Sequence, residues 1–333
     1  MEDASVVKEL AAAAVLPAVI AFGVIAMLLR SRLAARLVDR PNERSLHVDP
    51  TPRVGGLGVA AGVFPFALLL RSSDLAVPLA CAALLLAISL ADDVRGLPIE
   101  VRLPAHACAA LVAVLALASP ATPWPWGWLG AAFGVLGLVW STNLYNFMDG
   151  ADGLAGGMGL IGFGAMAWAA NDAGHESLAI LSAAIASACA GFLPHNAPSA
   201  RAFLGDCGAI PLGFLAGVLG LHGTLTGAWP AWFPLLAFSP FIVDATVTLA
   251  LRIVRGERFW VAHRSHGYQR LVLAGWSRQR LALLAWMLML AASASALVAR
   301  ASGERERCAI LFVWLVAYAL LVSVVGRLTR KTS

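Results

Sequence analysis

Residues 143–153 read Asn-Leu-Tyr-Asn-Phe-Met-Asp-Gly-Ala-Asp-Gly, with an apolar segment long enough to cross a bilayer on either side. The stretch sets two amides, Asn143 and Asn146, and two carboxylates, Asp149 and Asp152, at intervals of three. Neighbours at that spacing lie one turn apart on a helix. Each step of three falls roughly 60° short of a full turn, so in an unbroken helix the first and last side chains point about 180° apart. All four converge only if the backbone tightens or breaks, which Gly150 and Gly153 permit. Unpaired carboxylates at the mouth of a membrane helix are costly unless a cation or polar partner meets them. A binding site is therefore the first expectation. The alternative is a hydrated loop whose Asn and Asp merely cap helices.

The rest of the chain supplies the setting. Of 333 residues, 60% are apolar and 13% charged, against about 25% charged in an ordinary soluble domain. Eleven stretches approach the roughly 20 apolar residues of a spanning helix: 10–29, 54–70, 75–91, 103–119, 125–142, 154–170, 176–193, 209–225, 229–250, 279–298 and 308–325. Several are short or carry Gly and Pro, so ten spans would also fit. The expected fold is all-α, a polytopic integral membrane protein with 1–333 as a single transmembrane domain. No internal repeat or long linker divides it. The acidic start, MEDASVVKE, lacks a basic signal-peptide region, which predicts that the first span is a permanent anchor.

Loop charge orients the spans. With the N-terminus outside, the loops 30–53, 92–102, 143–153, 194–208 and 251–278, the start of the following helix and the C-terminal tail hold 19 of the 24 Lys and Arg residues, and the other face holds 5. The positive-inside rule then predicts a periplasmic N-terminus and a cytoplasmic C-terminus. Nearly every notable polar residue falls in those loops. Basic charge spread between apolar segments argues for topology rather than nucleic-acid binding. The five cysteines form no CxxC pair and have no His at metal spacing, so neither a disulfide framework nor a zinc site is expected.

Five constellations carry chemistry. In 39–58, DRPNERSLHVDPTPRVGGLG, Arg40, Arg44, Arg53 and His47 attract anions while Pro and Gly shape the turns. Asp92 and Asp93 adjoin at a membrane boundary, where mutual repulsion suits a base or a cation site. Arg102, ten residues on, can take phosphate oxygens bidentately, or snorkel to the headgroups. In Phe203-Leu-Gly-Asp-Cys-Gly208, Asp206 sits between glycines. Such a sparse carboxylate set fits magnesium on a diphosphate. Phe203 can stack on a base or simply pack. His263, Arg264 and His266 in HRSHGYQ form a donor cluster for phosphate. Asp244, inside the ninth stretch, suggests an ion path or a structural hydrogen bond, and the structural role is expected.

In order, DRPNERSLH…PRVGG, Asp92-Asp93, NLYNFMDGADG and FLGD resemble the polyprenyl-phosphate N-acetylhexosamine-1-phosphate transferases, glycosyl transferase family 4, over about 39–270. HRSHGYQ is similar to the O-antigen-initiating branch, while Ser45 stands where many relatives have Lys. The resemblance implies transfer of a sugar-1-phosphate, with N-acetylhexosamine-1-phosphate favoured, from a UDP-sugar to undecaprenyl phosphate. UMP is released, and the lipid-linked product initiates O-antigen or a related surface polysaccharide. It also implies Mg²⁺ or Mn²⁺ held by Asp206 and Asn146 with Asp149 nearby, Phe203 on uracil, and Arg102, His263 and Arg264 on the diphosphate. Asp92, Asp93 and Asp149 are the expected catalytic acids, with Asp92 or Asp93 acting on the lipid phosphate. Arg53, Asn143, Asp152 and His266 complete the expected substrate site. The implied place is the bacterial inner membrane with the site facing the cytoplasm, and homodimerisation is left open. The competing classes are a secondary transporter, whose acids would lie near the bilayer midplane, and a non-catalytic scaffold.

Overall fold

The computed structural model describes residues 2–41, 45–46, 48–68, 73–118, 124–258 and 263–329. Long α1 (Glu2–Leu29) and short α2 (Arg32–Arg36) lead into β1 (Val38–Asp39), which pairs antiparallel with β2 (Thr51–Pro52), Val38 opposite Pro52. There follow α3 (Gly55–Ala67), α4 (Ala76–Arg95), α5 (Ile99–Leu117), α6 (Trp128–Met148), α7 (Leu154–Asp172), α8 (Glu176–Asn196) and α9 (Asp206–Leu225). The chain closes with α10 (Trp232–Ala237), α11 (Ser239–Val254), α12 (Gly267–Leu273), α13 (Arg278–Ala301) and α14 (Glu304–Thr329). Among the described residues, each of the eleven apolar stretches is mainly helix. Seven helices among the described residues, α1, α4, α5, α8, α9, α13 and α14, are long and apolar enough to cross a membrane. The protein is an all-α polytopic membrane protein.

Burial orders the bundle. The apolar windows of α8 and α9 are each 78% buried and that of α14 only 6%, so α8 and α9 are central and α14 is peripheral. α1, α3 and α7 pack on α8, while α4 and α6 pack on α9. Between helices in lipid, close packing replaces the hydrophobic drive, and small residues allow it. A Cβ on Gly56 would run into the backbone of Gly208, so this pair holds α3 against the first turn of α9.

Boundaries differ from expectation where capping or proline decides them. The stretch 229–250 is two helices meeting at Phe238. Pro240 opens α11, and its ring excludes a helical bond to the Leu236 carbonyl. The Ser239 hydroxyl takes that carbonyl at 2.6 Å, and Tyr318 Oη on α14 lies 2.7 Å from Ser239 Oγ. Asp92 and Asp93 belong to the last turns of α4, Arg102 to the first turn of α5 and Asp206 to the start of α9. The expected cytoplasmic loops are therefore shorter than drawn from the sequence. Arg44 and His47, and residues 259–262 ahead of HRSHGYQ, lie outside the described residues.

Candidate active site

The β1–β2 strap reaches the site through Arg53. Its N–H donates to the Leu37 carbonyl at 2.7 Å, continuing the ladder. Its guanidinium lies 2.7 Å from Asp39 and 3.4 Å from Asp93. Burial, the largest single influence, works against that charge, but Asp39, Asp93 and Asp206 together raise its pKa.

Asp93 is 1% exposed. Its carboxylate accepts the N–H groups of Asp206 at 3.3 Å and Cys207 at 3.0 Å. Helix N-termini leave such donors unpaired, so Asp93 caps α9 from α4. Gly205 turns the chain into that cap at φ 74°, and a Cβ there would press on Asp93 Oδ2. Asp92 accepts the Leu97 N–H at 2.5 Å and Arg102 Nη1 at 2.8 Å, and the same Arg102 nitrogen lies 3.5 Å from Asp206. Both acids of the pair thus hold neighbouring elements. Neither lines the cleft, so their geometry is that of positioning residues.

The break foreseen between the two middle helices is present. α6 ends at Met148, Asp149 leaves the helix, and Gly153 at φ 75° starts α7. Asn146, Asp149 and Asp152 come to one cleft. Asn143 does not: it faces α5, donating to the Val139 carbonyl at 2.7 Å and bonding His106. Asp152 is 3% exposed and accepts the Ala200 N–H at 3.3 Å and Arg278 at 3.3 Å. Gly153 N–H donates to Asn196 Oδ1 at 2.9 Å, and Asn196 Nδ2 donates to the Ala202 carbonyl at 3.0 Å. These bonds position the neighbouring Phe203, whose own N–H and C=O join Pro52 and Gly55 at 2.9 Å.

On the facing wall, Asp244 accepts the N–H groups of Gly267 at 2.7 Å and Tyr268 at 3.0 Å, and the Thr248 hydroxyl at 3.2 Å. It is a cap for α12, as the structural reading expects. Its oxygens are occupied in a role that transport does not require. Of the donor cluster, only His263 lines the cleft. Burial, then His266 and Arg252, lower its pKa to about 4, making it a neutral hydrogen-bonding group near pH 7. Its Nδ1 lies 2.8 Å from Ser265 Oγ. His266 is buried beside Asp244, with ring contacts to Phe147 and Tyr268, and Arg264 is exposed away from the lining.

The resulting cleft is about 280 Å³, near the lower end of small-molecule sites. It joins Arg53, Asn146, Asp149, Asp152, Phe203, Asp206 and His263 from four segments. Asn196, Tyr268, Gln269 and Arg278 also line it and were not foreseen. Arg278 carried a signal, since like Arg102 it is a cation at the mouth of an apolar helix. Among the described residues the Asp149 carboxylate has no hydrogen-bond or ion-pair partner, while its N–H donates to the Asn146 carbonyl at 3.2 Å. Burial, then Asp206 and Asp93, hold its pKa well above the carboxylate range. Asp206 meets only the shared Arg102 nitrogen and Asp92. Among the described residues no three His, Cys, Asp or Glu gather into a complete metal cage. Two open carboxylates and the Asn146 amide fit a hard divalent ion that completes its shell with water and substrate oxygens.

The family model described as Glycosyl transferase family 4 matches residues 75–224, which includes Asp92, Asp149 and Asp206. A decaprenyl-phosphate N-acetylglucosaminephosphotransferase of Mycobacterium leprae is 32% identical, over 84% of this chain and 81% of its own. The chain belongs to glycosyl transferase family 4. A probable undecaprenyl-phosphate N-acetylglucosaminyl 1-phosphate transferase of Bacillus subtilis is 27% identical over 90% of this chain and 88% of its own. A phospho-N-acetylmuramoyl-pentapeptide-transferase of Halalkalibacterium halodurans is 32% identical over 48% of each. Within this glycosyl transferase family 4 chain, the family match spans the α4 acids, which position the α9 N-terminus, and the α6–α7 break and α9 N-terminus, two of the segments that meet at the cleft.

Proposed function

We propose that this protein transfers N-acetylhexosamine-1-phosphate from a UDP-sugar to undecaprenyl phosphate, releasing UMP and beginning an O-antigen or related surface polysaccharide. The observation that carries the reading is the meeting of the open carboxylates Asp149 and Asp206 with Phe203, Arg53 and His263 in one cleft. Relatives named for polyprenyl-phosphate N-acetylglucosamine 1-phosphate transfer support it. The single domain works in the bacterial inner membrane with the five loops and the cleft toward the cytoplasm, in keeping with the loop charge.

Phosphoryl transfer between two anions is mainly a matter of positioning and charge neutralisation. Asp149, Asp206 and Asn146 hold Mg²⁺ or Mn²⁺, which when bound neutralises diphosphate charge. Phe203 offers an aromatic face to the uracil. Arg53, His263 and Arg278 supply donors to the nucleotide sugar. Asp92 and Asp93 fix Arg102, Arg53 and the α9 terminus around it. A lipid phosphate oxygen attacks the sugar-bearing phosphorus directly, and the sugar's anomeric bond stays uncut.

The test is an assay of membranes bearing the protein with undecaprenyl phosphate, Mg²⁺ and a panel of UDP-sugars, scored for UMP and lipid-linked sugar. Product is expected with at least one N-acetylhexosamine donor. No UMP with any donor from folded protein would refute the reading. Rapid-quench trapping of a competent sugar-phosphate adduct on the protein would replace direct attack with double displacement.

A further inference from the structure

On α5, one helical turn separates Arg102 from His106, a residue with no role in the cleft. His106 is 5% exposed. Its Nδ1 and the Arg102 Nε are both buried with no hydrogen-bond partner. Leaving such groups unmet costs about 1–3 kcal/mol each, and two on one face of one helix point to an absent partner. The protonation pattern around His106 is settled by its neighbours. Asn143 gives one of its two amide N–H groups to the Val139 carbonyl and bonds His106; with Oδ1 assigned to that bond, it accepts from Nε2–H. The Nδ1 lone pair is then free to accept, while Arg102 Nε–H is free to donate. A phosphate monoester with one proton has both complements, a P–O⁻ and a P–OH. Arg102 also touches Asp206, a cleft residue, through Nη1, so this pair of atoms stands on the α5 side of the cleft. Asp92 and Asp93 are already engaged as acceptors by Leu97, Arg102 and the α9 N-terminus.

We infer that Arg102 Nε and His106 Nδ1 form the seat of the acceptor's phosphate, with His106 as the base that receives its proton. The inference rests on the proposed transfer for the identity of the acceptor. The O–H bond of the phosphate breaks and an N–H bond forms on His106. The freed phosphate oxygen then bonds to the sugar-bearing phosphorus, whose bond to the UMP oxygen breaks. The charged groups facing His106 are Arg102 on its own helix and Asp92 from α4, and α6 contributes the neutral Asn143.

The experiment uses the full chain in lipid nanodiscs with undecaprenyl phosphate and no donor, read by ³¹P NMR at pH 5.5. There a free monoester is mostly monoanion, its second pKa being about 6. The bound lipid phosphate is expected at the dianion position, and His106→Gln should return it to the monoanion position. A monoanion signal in the wild-type protein overturns the inference without recourse to any variant. In turnover, His106→Gln should raise KM for the lipid at least tenfold with donor KM within twofold. An unchanged lipid KM would also overturn the assignment. Inorganic phosphate should leave the lipid resonance in place, and displacement would reassign the pocket to free phosphate. The NMR arm contains no nucleotide sugar, so failure of the proposed donor chemistry and failure of this site are read separately.

Discussion

Replacing Asp93 by Ala separates scaffold from chemistry. Asp93 lies among the acids expected to be catalytic, yet it is 1% exposed and spends both oxygens on α9 and Arg53. Removing the acceptor of two helix-terminal N–H groups costs about 1–2 kcal/mol. The lost ion pair adds about 0.5 kcal/mol, discounted because Arg53 is one-third exposed and keeps Asp39. The total of about 2 kcal/mol converts to a fall in melting temperature of roughly 3–6 °C. The assay is thermal unfolding of purified protein in detergent, followed by tryptophan fluorescence, beside nucleotide-sugar binding and UMP release. Asp93→Ala is expected to melt early and lose activity through a displaced Asp206. Wild-type melting with activity abolished would refute the capping argument and return Asp93 to the reacting groups.

Three further outcomes follow from the same geometry. Gly150→Ala places a Cβ onto Tyr268 Oη, which donates to the Phe147 carbonyl at 2.9 Å; overpacking of about 1–3 kcal/mol should lower both melting temperature and activity, and an unperturbed melt would show that the two loops separate freely. Asp206→Asn should remove divalent-ion dependence along with activity in folded protein, and retention of both would displace the metal assignment. The folded pKa of His263, about 4, lies below its ordinary 6.5. Between those values the unfolded chain binds a proton that the folded chain does not, so stability is full above pH 6.5 and falls toward pH 4. His263→Gln should flatten that slope in pH-dependent melting, and an unchanged slope would place the loss elsewhere.

What could be read from residues alone was whatever lipid or loop charge imposes one residue at a time. Apolar length located the helices, and the glycines after Asn146 located the break at 149–153. Partnership could not be read. Asn143 and Asn146 share one repeat, but α6 continues to Met148, so the first amide turns to His106 and the second to the cleft. His106 itself looked like one more residue of an apolar helix. Arg264 and His266 sat in the same short motif as His263, yet the cap from Asp244 turns the chain so that only His263 faces in.

Those partnerships also explain why so many acids stand at one end of the bundle. A carboxylate next to a helix start can satisfy backbone donors, answer a guanidinium or wait for a cation, and sequence does not distinguish the three. Asp93 and Asp244 cap α9 and α12. Asp92 and Asp152 fix Arg102 and Arg278. Asp149 has no such partner, and Asp206 has only a shared one. A half-buried carboxylate with few partners favours a positive one, so under the proposed function this less-satisfied pair is where the cation would bind. The satisfied four keep that pair from relaxing apart. Neutralising a satisfied acid should therefore move melting temperature and activity together, and neutralising Asp149 should move activity while leaving the melt near or above that of the parent protein. Parallel melting and UMP-release measurements on the Asp92, Asp152, Asp244 and Asp149 amides would test the division, and a destabilised Asp149→Asn would break it.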